Sequence, residues 1–197
     1  MSLEMVKIRK LRPTQMTLGL REVSERAEKM KKYSPEKFQK LLEDKAAPYV
    51  LGPGGDMYIV DHHHLARALL AIDQDEMRLG EQKDDLSHLP VKSFWLEMER
   101  RDFCWPIDAD GNRRPYAAIP VGIEDLTDNI WRSMARELRG KAYKNLDTPF
   151  QEFMWGDYFR TFMSRRLIET SYKDAVDLAA RLARLSEAQD LPGYEGA

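Results

Sequence analysis

Apolar and polar residues first alternate at the start of the chain. Val6 and Ile8 are separated by Lys7 and Arg9, a period of two that predicts a short strand ending at the "RPTQ" break. Pro13 stops that strand, and Gly19 allows a turn into "LREVSERAEKMKKY", where Leu20, Val23, Ala27 and Met30 recur at helical spacing. Ser34-Pro35 restarts a helix, serine as N-cap and proline at the first helical position, with Phe38, Leu41 and Leu42 on its apolar side. Two apolar runs, "YVL" and "MYIV", flank the turn Gly-Pro-Gly-Gly-Asp and predict a hairpin. Asp61 then reads as the N-cap of a helix carrying Leu65, Ala68, Leu69 and Ile72. A weak strand is expected somewhere inside "EMRLGEQKDDL".

Beyond Ser87 the pattern turns helical. "SFWLEMER" is apolar at Phe94, Trp95 and Met98, and "DADGNRRPY" is a turn-rich loop. "TDNIWRSMARELRG" runs from a Thr127 cap to a Gly140 stop. "TPFQEFMWGDYFRTFMSRRLIE" opens with Thr148, Pro149 and Gln151 as a capping box. Its apolar positions are Phe150, Phe153, Met154, Tyr158, Phe162 and Met163, and Trp155, Phe159 and their neighbours on the helix read as core. A last helix has Val176, Ala179, Leu182 and Ala183 on one side, and "DLPGYEGA" is expected to fray. The order predicts an α+β domain with a small mixed sheet over residues 1–86. A mainly helical C-terminal extension over 87–197 is expected to pack on it.

Composition narrows the class. Hydrophobic residues make up 43% of the 197, enough for a substantial core. Charged residues make up 32% but nearly cancel, leaving −2, so there is no overall pull toward nucleic acid, although a local basic face remains open. Cys104 is the single cysteine, which excludes an intramolecular disulfide and a cysteine-rich zinc site. No apolar run approaches the roughly 20 residues of a membrane span. "MSLEMVKIRK" lacks the apolar segment of a secretory signal. The expectation is a soluble, cytoplasmic protein.

The candidate chemistry lies in "YIVDHHHLARALLAI", which holds three of the four histidines. Neighbours on a helix point about 100° apart, so His62, His63 and His64 do not all reach one ion from a regular helix, and the H-E-x-x-H spacing is missing. A phosphate is easier to accommodate. The first helical turn offers amides and a positive dipole end, and imidazoles add donors or a proton relay. Solvated or hydrogen-bonded helix-opening residues are the simpler account on residue chemistry alone. "GPGGD" is explained by a hairpin turn and lacks a P-loop's lysine. "DADGN" lacks the glutamate of a calcium loop, since Ile119 stands at its twelfth position, and reads as a hydrogen-bonded turn.

"YIVDHHHLARAL" resembles the strand-to-helix signature of the ParB/sulfiredoxin superfamily, roughly D-G-H-H-R before an alanine-rich helix. "VKIRKLRPTQMTLGLREV" resembles its first box, a strand entering a Pro-x-Gln/Glu loop. Within the superfamily the chain looks most like the bacterial family called "putative ParB-like nucleases". The resemblance implies a ParB/sulfiredoxin-like fold and a junction that binds the phosphates of a nucleotide, or of another phosphate-bearing ligand. Carried over by position, Asp61, His63 and His64 match the motif and are the implied catalytic residues. His62 stands where glycine is usual, and Leu65 where arginine is usual. His62, His63, His64, Arg67, Gln15 and Arg21 are the implied phosphate-binding set. His63 replaces the reductase's cysteine, and Gln15 replaces the serine kinase's glutamate base, which weakens both activities. No recognition helix of a partitioning protein is evident. The implied function is a ParB-like nuclease or a nucleotide or phosphate hydrolase. Alternatives are a catalytically silent nucleotide- or DNA-binding module and a small-molecule phosphotransferase. Turnover, a divalent metal cofactor, nucleic acid as partner and the oligomeric state are left open.

Overall fold

A computed structural model describes residues 4–196. Met1–Leu3 and Ala197, which the sequence reading placed at the ends of its two regions, lie outside them. The chain forms two compact units, one up to Thr127 and one from Asp128 onward.

The first unit is α+β. Met5–Lys7 (β1), Leu11–Arg12 (β2), Ala47–Leu51 (β4), Met57–Ile59 (β5) and Glu76–Asp85 (β6) form one mixed sheet in the order β1-β6-β4-β5-β2. A further two-residue strand, Thr17–Leu18 (β3), lies outside this sheet. The expected hairpin is present: β4 and β5 are antiparallel, with Tyr49 opposite Ile59 and Leu51 opposite Met57. Its turn carries Gly54 and Gly55 at φ 75° and 82°, with open space where a Cβ would stand, so a plain turn explains both glycines. The segment that read as a weak strand is the longest one. β6 runs antiparallel to β1 and parallel to β4, and paired on both sides it needs little alternation of its own.

Four helices flank the sheet: Leu20–Met30 (α1), Pro35–Asp44 (α2), His63–Leu70 (α3) and Val91–Arg100 (α4). Ser34 caps α2 as expected, accepting the amide of Lys37 at 3.3 Å. Val23, Ala27 and Met30 of α1 and Leu65, Ala66 and Leu69 of α3 close over Ile8, Leu11, Ile59 and Met77 of the sheet region. The boundary expected at residue 86 falls at Thr127 instead. Leu86, Phe94, Trp95, Met98, Cys104 and Ile119 pack around Val50 of β4, and Ile123 and Leu126 join the main core. Asp108 forms the expected turn, its Oδ1 accepting the amides of Asp110 and Asn112 at 3.0 and 2.9 Å.

The second unit is helical: Ile130–Leu138 (α5), Gln151–Arg160 (α6), Arg165–Thr170 (α7) and Tyr172–Leu182 (α8). Trp155, Phe159 and Tyr143 are fully buried in its core, as the aromatic pattern predicts for the first two. Three local expectations are corrected. Asn129, not Thr127, caps α5, accepting the amide of Arg132 at 3.0 Å. The long helix breaks after Arg160, and Ser164 caps a separate α7. The capping box at Thr148 does not form: Phe150 occupies the N-cap at φ 58°, and Gln151 serves another purpose.

Gln151 holds the C-terminal segment, which is docked rather than frayed. Its amide nitrogen donates to the carbonyls of Lys144 and Pro192 at 2.8 and 2.9 Å, and Trp155 Nε1 also donates to Pro192 at 2.9 Å. Gly193 sits at φ +81°, and a Cβ there would lie 2.4 Å from the Lys144 carbonyl oxygen. Gly193→Ala is therefore expected to destabilise the protein by roughly 1–3 kcal/mol, as a strained positive-φ site with a backbone clash. Urea unfolding followed by tryptophan fluorescence measures this, and an unchanged midpoint would contradict the docked tail.

Candidate functional site

β5 ends at Ile59, and the ladder runs one step further, Val60 N–H donating to the Pro48 carbonyl at 3.0 Å. The chain then turns sharply into α3. The expected cap, Asp61, lies one residue too early. His62 is the N-cap, in the left-handed conformation at φ 67°, ψ 18°, and no side chain caps the helix. Asp61 Oδ1 instead accepts the backbone N–H of His62 at 2.5 Å, and its side chain is 71% exposed. A left-handed residue followed by helical ones turns successive N–H groups toward one concave side, a nest suited to an anion. The family pattern's glycine would adopt this conformation without strain; a histidine does so at a cost of order 1 kcal/mol.

The three imidazoles have different surroundings. His63 is buried, and its Nε2 accepts the backbone N–H of Thr14 at 3.2 Å. The Thr14 hydroxyl donates to the Ile59 carbonyl at 2.9 Å and lies 3.4 Å from the same imidazole nitrogen. His64 Nε2 accepts the backbone N–H of Gly19 at 2.9 Å. Both rings thus accept at Nε2, which places the proton of each neutral ring on Nδ1. Together they join the first-box loop, Pro13 to Gly19, to the opening of α3. Burial drives the His63 pKa down to about 4, against the opposing pull of Asp61. His62 is also shifted downward, chiefly by burial, with Asp61 opposing and Lys45 and Arg26 adding to the shift. Its ring is 22% exposed, and Nδ1 lies 3.7 Å from Asp61 Oδ1.

The other sequence-predicted residues are placed as follows. Gln15 is buried beside Thr14, and its side-chain amide donates to the Thr17 carbonyl at 2.6 Å within the same loop. Arg21 is half-exposed on α1, 3.4 Å from Glu25. Arg67 lies one turn beyond His63 on α3, half-buried, its Nε without a hydrogen-bond partner among the described residues. Leu65, at the arginine position of the family pattern, is 2% exposed in the main core. Asp61 and the three histidines are therefore gathered with Thr14 and Gly19, while Gln15 is turned into its own loop. Among the described residues no group of three or more His, Cys, Asp or Glu side chains is arranged to hold a metal ion.

Sequence reasoning missed four residues here. Thr14 and Gly19 serve through their backbone amides, which no side-chain motif announces. Arg26 and Lys45 lie within electrostatic reach of His62. Arg26 is paired with Glu22 at 2.7 Å, and that carboxylate is only 9% exposed.

This strand-to-helix turn facing a Pro-x-Gln loop sits in a chain that matches the family described as "Putative ParB-like nuclease" over residues 4–161. The chain belongs to that family. The ParB-like fold is also that of a solved protein, Atu1540 from Agrobacterium tumefaciens. The two share 37% sequence identity and superpose with a TM-score of 0.90, over 99% of this chain and 97% of that one. A search of curated proteins gives no match. No helix among the described residues of this ParB-like chain is long and apolar enough to cross a membrane.

The buried neutral imidazole of His63 has a consequence for pH dependence. An unfolded histidine titrates near 6.5 and the folded one near 4, so the unfolded state binds the extra proton between these values. Its contribution to stability is complete above about 6.5 and is lost as pH falls toward about 4, at about 1.4 kcal/mol per unit. His63→Gln keeps an acceptor but does not titrate, so it should flatten the fall in unfolding free energy by close to one proton. Urea unfolding across this window measures both slopes, and identical slopes would show that His63 is not buried neutral.

Proposed function

We propose that this protein binds a phosphate-bearing ligand, a nucleotide or a nucleic-acid phosphate, at the turn between β5 and α3, and that its enzymatic form is hydrolysis of a phosphodiester or nucleotide. The observation that carries the reading is the left-handed His62 followed directly by helical His63 and His64. Amides of the first turn have no acceptor within their own helix, and the dipole makes that end positive. The Asp61 carboxylate oxygen already resting on the His62 N–H supports it, since an anionic oxygen is accommodated there. Arg67, with its buried Nε lacking a hydrogen-bond partner among the described residues, supplies a cation on the same helix. Membership of the ParB-like family supports nucleotide or nucleic acid as the ligand class.

A catalytically silent binding module is the second reading, and one observation favours it. His63 and His64 spend their basic nitrogens on backbone amides, so neither can take a proton without releasing the loop it holds. The phosphotransferase reading has less support, because Gln15 is not a base and its amide is committed to Thr17. Any divalent metal would come with the ligand's own phosphates as partial ligands.

Amide NMR with inorganic pyrophosphate, CTP and ATP, each with and without Mg²⁺, tests the reading. Binding at the turn is expected to move the backbone amide signals of His62, His63, His64 and Leu65, and to raise the melting temperature with ligand concentration. Arg67→Ala should weaken the effect. Unmoved signals at millimolar ligand would remove the proposal. Mg²⁺-dependent cleavage of nucleic acid that is lost in Asp61→Asn would select the hydrolase over the silent module.

A further inference from the structure

His62 is the imidazole of the run that is not spent on holding the fold. Its neighbours each accept a backbone N–H from the first-box loop. Its own residue occupies a left-handed position that glycine would fill without strain, and it does not cap the helix. A strained backbone that persists beside a partly buried polar ring points from structure toward function.

The surroundings of that ring are charged from three sides. Asp61, the preceding residue, places Oδ1 3.7 Å from Nδ1. Arg26 approaches from α1, held there by the largely buried Glu22 at 2.7 Å. Lys45 approaches from the end of α2. The antiparallel register of β4 and β5, extended by the bond from Val60 to Pro48, carries the chain just before β4 past the turn at Asp61 and His62. The neutral ring of His63 completes the set of titratable neighbours on α3. One exposed carboxylate and two cations therefore flank one imidazole at the mouth of the turn.

We propose that His62 is the ligand-contacting imidazole of this site, and that it becomes protonated when a phosphate anion binds between it, Arg26 and Lys45. The inference rests on the phosphate-binding reading above and adds to it which residue responds to the ligand and how. Without ligand, burial outweighs the opposing pull of Asp61, and Lys45 and Arg26 add to it, so the neutral ring is favoured. A phosphate dianion beside the ring offsets both cations and accepts the imidazolium N–H, so binding draws one proton from solvent onto His62. Affinity should therefore rise as pH falls through the neutral range, until the phosphate takes its own proton near about pH 6.

Calorimetry with inorganic pyrophosphate at neutral pH, in two buffers of different ionisation enthalpy, reads the net proton exchange. Pyrophosphate itself titrates in this range, so the His62 proton is the difference between wild type and His62→Gly. The wild-type protein is expected to take up a substantial fraction of a proton more per ligand bound than His62→Gly does. His62→Gly suits the left-handed backbone, so its melting temperature should not fall. It should nevertheless lose that additional proton uptake and bind about tenfold or more weakly, as expected for one lost charge-assisted hydrogen bond. Lys45→Gln, at an exposed position, should weaken binding while leaving the proton uptake in place. Equal proton exchange in wild type and His62→Gly would overturn the inference, as would His62→Gly binding as tightly as wild type, and either leaves the broader reading intact. Absence of pyrophosphate binding to the wild type would overturn both.

Discussion

Two neutral imidazole nitrogens accepting backbone N–H groups hold the loop of the first box against the opening of α3, and the rest of the site is arranged around that constraint. The Thr14 and Gly19 amides lie in a loop that is paired with no strand of the main sheet where it meets α3, so without the rings they would face the helix end unpaired. A buried amide left without an acceptor costs about 1–3 kcal/mol. His63 and His64 remove that penalty only while uncharged, because a protonated Nε2 would present a hydrogen to another hydrogen. The staple thus sets the tautomer of both rings and withdraws them from proton transfer. It also leaves the turn at Asp61 and His62 as the place where polar groups remain accessible.

Much of the fold was legible because local chemistry and tertiary demand agree there. Ser34-Pro35 opens α2 and the glycine-rich turn joins β4 to β5. The strand read through Val6 and Ile8 is present only over Met5–Lys7, because Ile8–Lys10 turn as a 3-10 helix before β2. Legibility failed where partners far along the chain decide. β6 carries a weak pattern of its own because β1 and β4 pair with it from both sides. The capping box at Thr148 lost to the docking of Pro192, which recruits Gln151 and Trp155 together. The unit boundary moved past residue 87 because Phe94, Trp95 and Met98 pack on Val50, and an amphipathic helix pattern does not reveal which core receives its apolar face.

The site divides in the same way. The D-H-H-H run was readable as a strand-to-helix junction, and its position is where the structure has it. The division of labour within the run was not readable. Three identical side chains in sequence give no clue that the second and third accept amides of the first-box loop while the first stands beside Asp61. That follows from the left-handed turn at His62, which rotates His63 inward onto Thr14. Arg26 and Lys45 were likewise invisible, since each looks like one more solvated charge on a helix or at its end.

The two departures from the family pattern are linked through this geometry. Position 65 faces the main core here, where leucine packs with Val23, Ala27 and Ile59 and a guanidinium would need a buried partner. Giving up that arginine removes a bidentate clamp for a phosphate but improves the packing that seats α3 on the sheet. Position 62 makes the opposite trade: it accepts backbone strain that glycine would avoid and in return places an imidazole at the mouth of the turn. Strain of that kind is retained only where the side chain contributes something the backbone alone does not. With Arg26 and Lys45 already bringing positive charge from α1 and the end of α2, the missing contribution is a group whose charge responds to what binds. An imidazole is the side chain that does so near neutral pH.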